Sequence, residues 1–157
     1  MRLLKLILRV GLALVGGSLV GKFAMNKSSN QYEELKQPPL SPPGIVFPIV
    51  WSALYAAMGI AYHIVKESKA NKDVSIIYYT QLGLNYLWSF LYFKFRLRGL
   101  ALIEVFTLLA SVILTTVRFY EKNKVAGLML IPYICWVAFA TYLNAGGWYL
   151  NREKSCK

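Results

Sequence analysis

The chain has 157 residues, enough for one domain, of which 57% are hydrophobic and 16% charged. Soluble chains carry roughly 45–50% apolar and about 25% charged residues, because their large surface must be compatible with water. A soluble enzyme, a disordered chain and a collagen-like chain are thereby excluded, which leaves an integral membrane protein. The net charge of +11 comes from 18 Lys and Arg scattered in small groups between apolar blocks. Such flanks suit anionic headgroups and argue against nucleic acid as a partner. Cys135 and Cys156 offer neither a disulfide framework nor metal-ligand spacing.

Five apolar stretches follow in order. Residues 3–25 carry Lys5, Arg9 and Lys22, which leaves Val10 to Gly21 uninterrupted, so these cations must snorkel if the segment spans. A cleaved signal peptide is the competing reading. No small-x-small site follows, since the chain continues Gly21-Lys22-Phe23-Ala24-Met25-Asn26, and the segment reads as a first span. Residues 26–43 form a long polar loop with four of the six prolines, ending where Ser41 can cap a helix and Pro42 suits its first position. The second span is 44–66, with Pro48 either in its first turn or kinking it. The third covers about 75–94, the fourth about 99–120, and the fifth, without a charged residue, about 125–150. About 20 residues at 1.5 Å each cross the hydrocarbon core. The expectation is an all-α integral membrane protein, one five-transmembrane-helix bundle over residues 1–157. Lys and Arg divide nine and nine between the two sides, so the positive-inside rule assigns no orientation.

Within the third span Gln81, Asn85 and Ser89 share one helical face, which must turn away from lipid. That face serves either as interhelical hydrogen-bonding glue or as a ligand contact. Trp51 begins a face continuing through Tyr55, Met58 and Tyr62, and Trp136 one continuing through Ala140 and Asn144. Core packing explains both, and so does a chamber for a flat apolar ligand. Ala13, Gly17 and Gly21, like Ala53, Ala57 and Ala61, let helices approach closely within one chain or between two. Glu104 is expected to pair with Arg96 or Arg98, and the lone His63 to be structural. No Ser-His-Asp set, paired carboxylates, phosphate loop or metal cluster supports hydrolysis or phosphoryl transfer, and no cofactor is required.

The run Pro42-Pro43-Gly44, Pro48, Trp51-Ser52-Ala53-Leu54-Tyr55 and Met58-Gly59 resembles the second-helix signature of the TspO/MBR family. That family comprises the tryptophan-rich sensory proteins and the mitochondrial translocator (peripheral benzodiazepine receptor) proteins. The likeness continues through Leu84-Asn85 and Trp88-Ser89, then Pro132-Tyr133, Trp136 and Phe139-Ala140-Thr141-Tyr142-Leu143-Asn144. It implies a five-helix bundle, usually dimeric, with a cavity beneath the long first loop. Such a cavity takes porphyrins and isoquinoline or benzodiazepine-type ligands. Carried over, Trp51 and Asn85 become polar anchors, and Trp136, Ala140 and Tyr32 the remaining wall and lid. The function implied is a membrane receptor or sensor of tetrapyrroles. Light- and oxygen-dependent porphyrin degradation, with Trp136 and Tyr32 as reacting groups, is one alternative, and transport of porphyrin or a lipid-like ligand is another. Gln31 and Leu40 stand where relatives often carry tryptophan, which weakens the photochemical alternative. Leu143, Tyr149 and Arg152 fit the loose cholesterol-contact pattern. The compact form points to a bacterial cell membrane.

Overall fold

The computed structural model describes residues 1–25, 34–68 and 72–152, and their regular structure is entirely helical. In chain order the helices are α1 (Arg2–Met25), α2 (Val46–Glu67), α3 (Lys72–Ser89), α4 (Arg98–Lys122), the short α5 (Lys124–Leu128) and α6 (Ile131–Asn151). A π-helical stretch, Phe90–Lys94, prolongs α3. Arg2–Ala24, Val46–Glu67, Arg98–Lys122 and Lys124–Asn151 are each long and apolar enough to cross a membrane. α3 is not among them. Its polar Gln81 and Asn85, with Tyr78, Tyr79 and Tyr86, lower its hydropathy, and they are also what the bundle needs from it.

The structure departs from the sequence expectation in three places, two of which backbone chemistry explains. Ser41 does not cap α2, because its hydroxyl donates to the Pro38 carbonyl at 2.7 Å and the helix starts five residues later, at Val46. Pro48 then falls in the first turn, where its missing N–H costs nothing. The fifth apolar stretch is not one helix. Pro132, at the start of α6, cannot donate to Leu128, so the chain turns through Met129 and Leu130. Asn123 opens α5 instead, accepting from the Ala126 N–H at 3.2 Å.

The third departure concerns Glu104. It forms no ion pair with Arg96 or Arg98. It lies 8% exposed on the inner face of α4 with Ala101, Val105 and Leu108, and neither carboxyl oxygen has a hydrogen-bond partner. Arg96 sits instead in the exposed turn after the π-helical stretch, at a left-handed φ of 56°. An α4 facing Glu104 toward that turn would have to expose its apolar neighbours.

α1 packs chiefly along α2, with its outer side, from Leu4 to Phe23, exposed. Only 11% of its apolar window is buried, against 39% for the other three segments, so α1 is the outermost element. Small residues set how closely it sits. A Cβ on Gly59 would fall 2.6 Å from the Val10 Cα, and one on Gly17 would overlap the Tyr55 ring. The Ala13–Gly17 ridge is thus used inside the chain, with Tyr86 also donating to the Ala13 carbonyl at 3.2 Å.

Candidate ligand-binding site

The inner face of α3 carries the polar centre. Gln81 and Asn85 are 1% and 0% exposed, and Ser89 one turn on is partly exposed. Both ends of the Asn85 amide are bonded: Oδ1 accepts from Tyr55 at 2.6 Å and Nδ2 donates to Tyr133 at 2.8 Å. The Tyr133 hydroxyl in turn donates to Gln81 Oε1 at 2.8 Å, and Gln81 Nε2 reaches Met58 Sδ at 3.6 Å. One connected network therefore ties α2, α3 and α6 together. In apolar surroundings each of these groups would be costly if left unpaired, so the network fixes the register of three helices.

Above it lies a cluster of aromatic rings. The Trp51 ring stacks on Tyr55 at 5.8 Å and meets Trp88 at 6.1 Å, with Tyr133 and Trp136 edge-on at 6.3 Å each. Phe47 lies edge-on to Trp136 at 5.8 Å and to Phe93 at 6.4 Å. Side chains of this size hold α2 and α6 together while keeping their backbones apart. Trp88 is anchored by its indole N–H to Asn144 Oδ1 at 3.1 Å, and Asn144 Nδ2 donates to the Arg98 carbonyl at 3.0 Å.

Two spaces adjoin this cluster. A cleft of about 220 Å³ opens between α1, α2 and the end of α3, walled by Gly17, Gly21, Trp51, Tyr55, Ser89 and Phe93. A residual void of about 10 Å³ lies on the α6 side, among Phe47, Trp88, Ala140 and Leu143. Trp51 and Phe93 wall the first, and the rings they touch, Trp88 and Phe47, wall the second. Of the residues that the resemblance singles out, only Trp51 faces the cleft. Asn85 lies beneath it with Oδ1 and Nδ2 each bonded to a tyrosine, Ala140 borders the void, and Tyr32 is outside the described residues. Trp136 packs behind Trp51, and its indole N–H is buried without a hydrogen-bond partner. Sequence reasoning left Tyr133 and Phe47 out of the site, whereas it puts Asn144 on the Trp136 face. Tyr133 had a signal, because it stands three residues before Trp136 and seven before Ala140, on one helical face.

A strap covers the same end of the bundle. Asn151 brackets the Lys36 peptide, accepting from its N–H at 3.2 Å and donating to its carbonyl at 3.0 Å. Tyr142 donates to the Pro39 carbonyl at 2.9 Å. Pro38 occupies the space above Gly146, where a Cβ would approach its ring to 2.6 Å. Leu40, at the tip, has a left-handed φ of 67° and is 86% exposed.

An all-helical, multi-pass membrane protein with an aromatic chamber is the class that these elements define. The TspO/MBR family model matches residues 9–149, and the chain belongs to that family. It is 35% identical to the tryptophan-rich protein TspO of Archaeoglobus fulgidus over 153 residues, which cover 96% of this chain and 99% of the relative. It is 33% identical to the human translocator protein over 141 residues, 86% of this chain and 83% of that one. Likeness to the tryptophan-rich sensory protein of Cereibacter sphaeroides is 31% over 128 residues, 82% and 81% of the two chains.

Proposed function

We propose that this protein is a membrane receptor or sensor whose five long helices all cross the bilayer and which binds a flat, apolar ligand of tetrapyrrole type beside Trp51. The observation that carries the reading is the position of Trp51, which walls the cleft on one side and touches Trp88, Tyr133 and Trp136 on the other. Stacked indole and phenol rings offer large contact area to a flat conjugated ligand at small entropic cost. The names of the relatives, sensory protein and translocator protein, are compatible with it.

At about 220 Å³ the cleft is smaller than the roughly 300–1,000 Å³ usual for sites that enclose a drug-sized ligand. A porphyrin therefore enters only as the rings between cleft and void rotate and the two spaces merge. Merging brings Trp136 and Ala140 to the ligand alongside Trp51. The Trp136 N–H, unpaired in the closed arrangement, then finds a ligand acceptor.

The test is quenching of tryptophan fluorescence by protoporphyrin IX, with wild type compared with Trp51→Phe and Asn85→Leu. Saturable quenching weakened by both changes is the expected result. Non-saturable quenching that ignores them means partitioning into detergent and overturns the reading. A degradation reaction is favoured over simple binding if porphyrin absorbance falls only under light and Trp136→Phe abolishes the loss while leaving dark binding in place.

A further inference from the structure

On the face of the bundle opposite the strap, the first turn of α3 meets the last turns of α4 around an open pocket of about 340 Å³. Its apolar floor is Val74 and Ile77, and its rim carries two acids, Asp73 and Glu121, with two bases, Arg118 and Lys122. Arg118 and Glu121 form an ion pair at 3.4 Å, with both side chains about half exposed. Among the described residues Asp73 and Lys122 have no ion pair. The rim is thus balanced in sign within a chain of net charge +11.

The position of the pocket matters as much as its charge. α4 is a membrane-crossing segment that ends at Lys122, so the rim lies at headgroup depth. One helical turn further into the membrane from Arg118, Leu114 is exposed, and Ile77 stands one turn from Asp73. Acyl chains can therefore run down from the pocket over apolar side chains. A rim of bases alone would select an anionic lipid. A rim with carboxylates beside guanidinium and ammonium groups complements a headgroup that carries both signs. Carboxylates accept hydrogen bonds, which a primary ammonium supplies and a quaternary one does not.

We propose that this pocket binds the headgroup of a zwitterionic aminophospholipid, with its phosphate between Arg118 and Lys122 and its ammonium between Asp73 and Glu121. The site selects phosphoethanolamine lipids over phosphoglycerol lipids, against the bias of the whole chain toward anions. It is independent of any ligand in the aromatic cleft.

Native mass spectrometry of the full chain in detergent micelles, titrated with phosphatidylethanolamine, phosphatidylcholine or phosphatidylglycerol, tests it. Phosphatidylethanolamine should bind about fivefold to tenfold more tightly than either of the others. Asp73→Asn with Glu121→Gln should erase that preference, and Arg118→Gln should weaken all three lipids. These side chains are exposed, and circular dichroism checks that each variant keeps its helices. Chain-free glycerophosphoethanolamine should compete only at far higher concentration. Phosphatidylglycerol binding as tightly as phosphatidylethanolamine, or a preference untouched by the double variant, would overturn the proposal. Equal competition by the chain-free headgroup would overturn the assignment to a lipid.

Discussion

Trp51 and Trp88 pack with ring centroids 6.1 Å apart, and each walls a different space: Trp51 the open cleft, Trp88 the residual void. Aromatic side chains in contact therefore stand between the cleft and the void. Phe93 and Phe47 repeat the arrangement at 6.4 Å.

Removing one ring from that partition should help the ligand. Phe47→Ala is expected to join the two spaces and tighten protoporphyrin IX binding by about tenfold, the equivalent of roughly 1.4 kcal/mol. Fluorescence titration measures it. Weaker binding would mean that Phe47 contacts the ligand instead of obstructing it.

Tyr133 and Asn85 each hold two partners in the buried network, and removing either should be costly. Tyr133→Phe leaves Gln81 Oε1 without its donor and Asn85 Nδ2 without its acceptor. The expected loss is about 1–2 kcal/mol in mixed-micelle unfolding. Asn85→Leu, which leaves the Tyr55 hydroxyl without its acceptor and removes the donor to Tyr133, should cost at least as much.

Two glycines offer a paired comparison in detergent melting. Gly59→Ala places a methyl group against the backbone of Val10 and is expected to cost about 1–3 kcal/mol. Gly21→Ala has nothing within 4 Å of the added carbon and should change stability by no more than about 0.5 kcal/mol. Equal melting of the two variants would refute the close α1–α2 contact.

Asn151→Ala should release the strap without unfolding the bundle. The Lys36 peptide loses both of its contacts with that side chain, so amide exchange at Lys36 is expected to rise about tenfold or more. Porphyrin association should accelerate in the same variant, which stopped-flow quenching reads directly.

Replacing Glu104 should stabilise the protein. Its two carboxyl oxygens are buried without donors, so Glu104→Leu removes an unsatisfied group and keeps most of the volume. The melting temperature is expected to rise. A fall would reveal a partner that the carboxylate holds in the membrane.

Helical periodicity made much of this legible. An amide facing lipid is costly, so Gln81 and Asn85 had to turn inward, and they do. Trp51, Tyr55, Met58 and Tyr62 fall on one buried face for the same geometric reason. Competing local chemistry obscured the rest. Ser41 had two acceptable uses, and a turn with Pro38 prevailed over a helix cap. Opposite charges near one another in sequence suggested that Glu104 would pair, but the apolar neighbours of Glu104 fix the rotation of α4 and keep it away from Arg96. No periodicity could show that Trp51 would line the cleft while Trp136 and Ala140 do not, because that depends on how rings from three helices interdigitate.

The widened turn at Phe90–Lys94, where the Phe95 N–H reaches back to the Phe90 carbonyl at 2.9 Å, has the form of a single-residue insertion into a regular helix. Deleting one residue there would restore ordinary α-helical hydrogen bonding and rotate the residues between the deletion and the turn at Phe95 by about 100°. Phe93 would swing off the wall of the cleft. A change of one codon, far smaller than any change in composition, would thus rephase the aromatic side chains that close the end of α3.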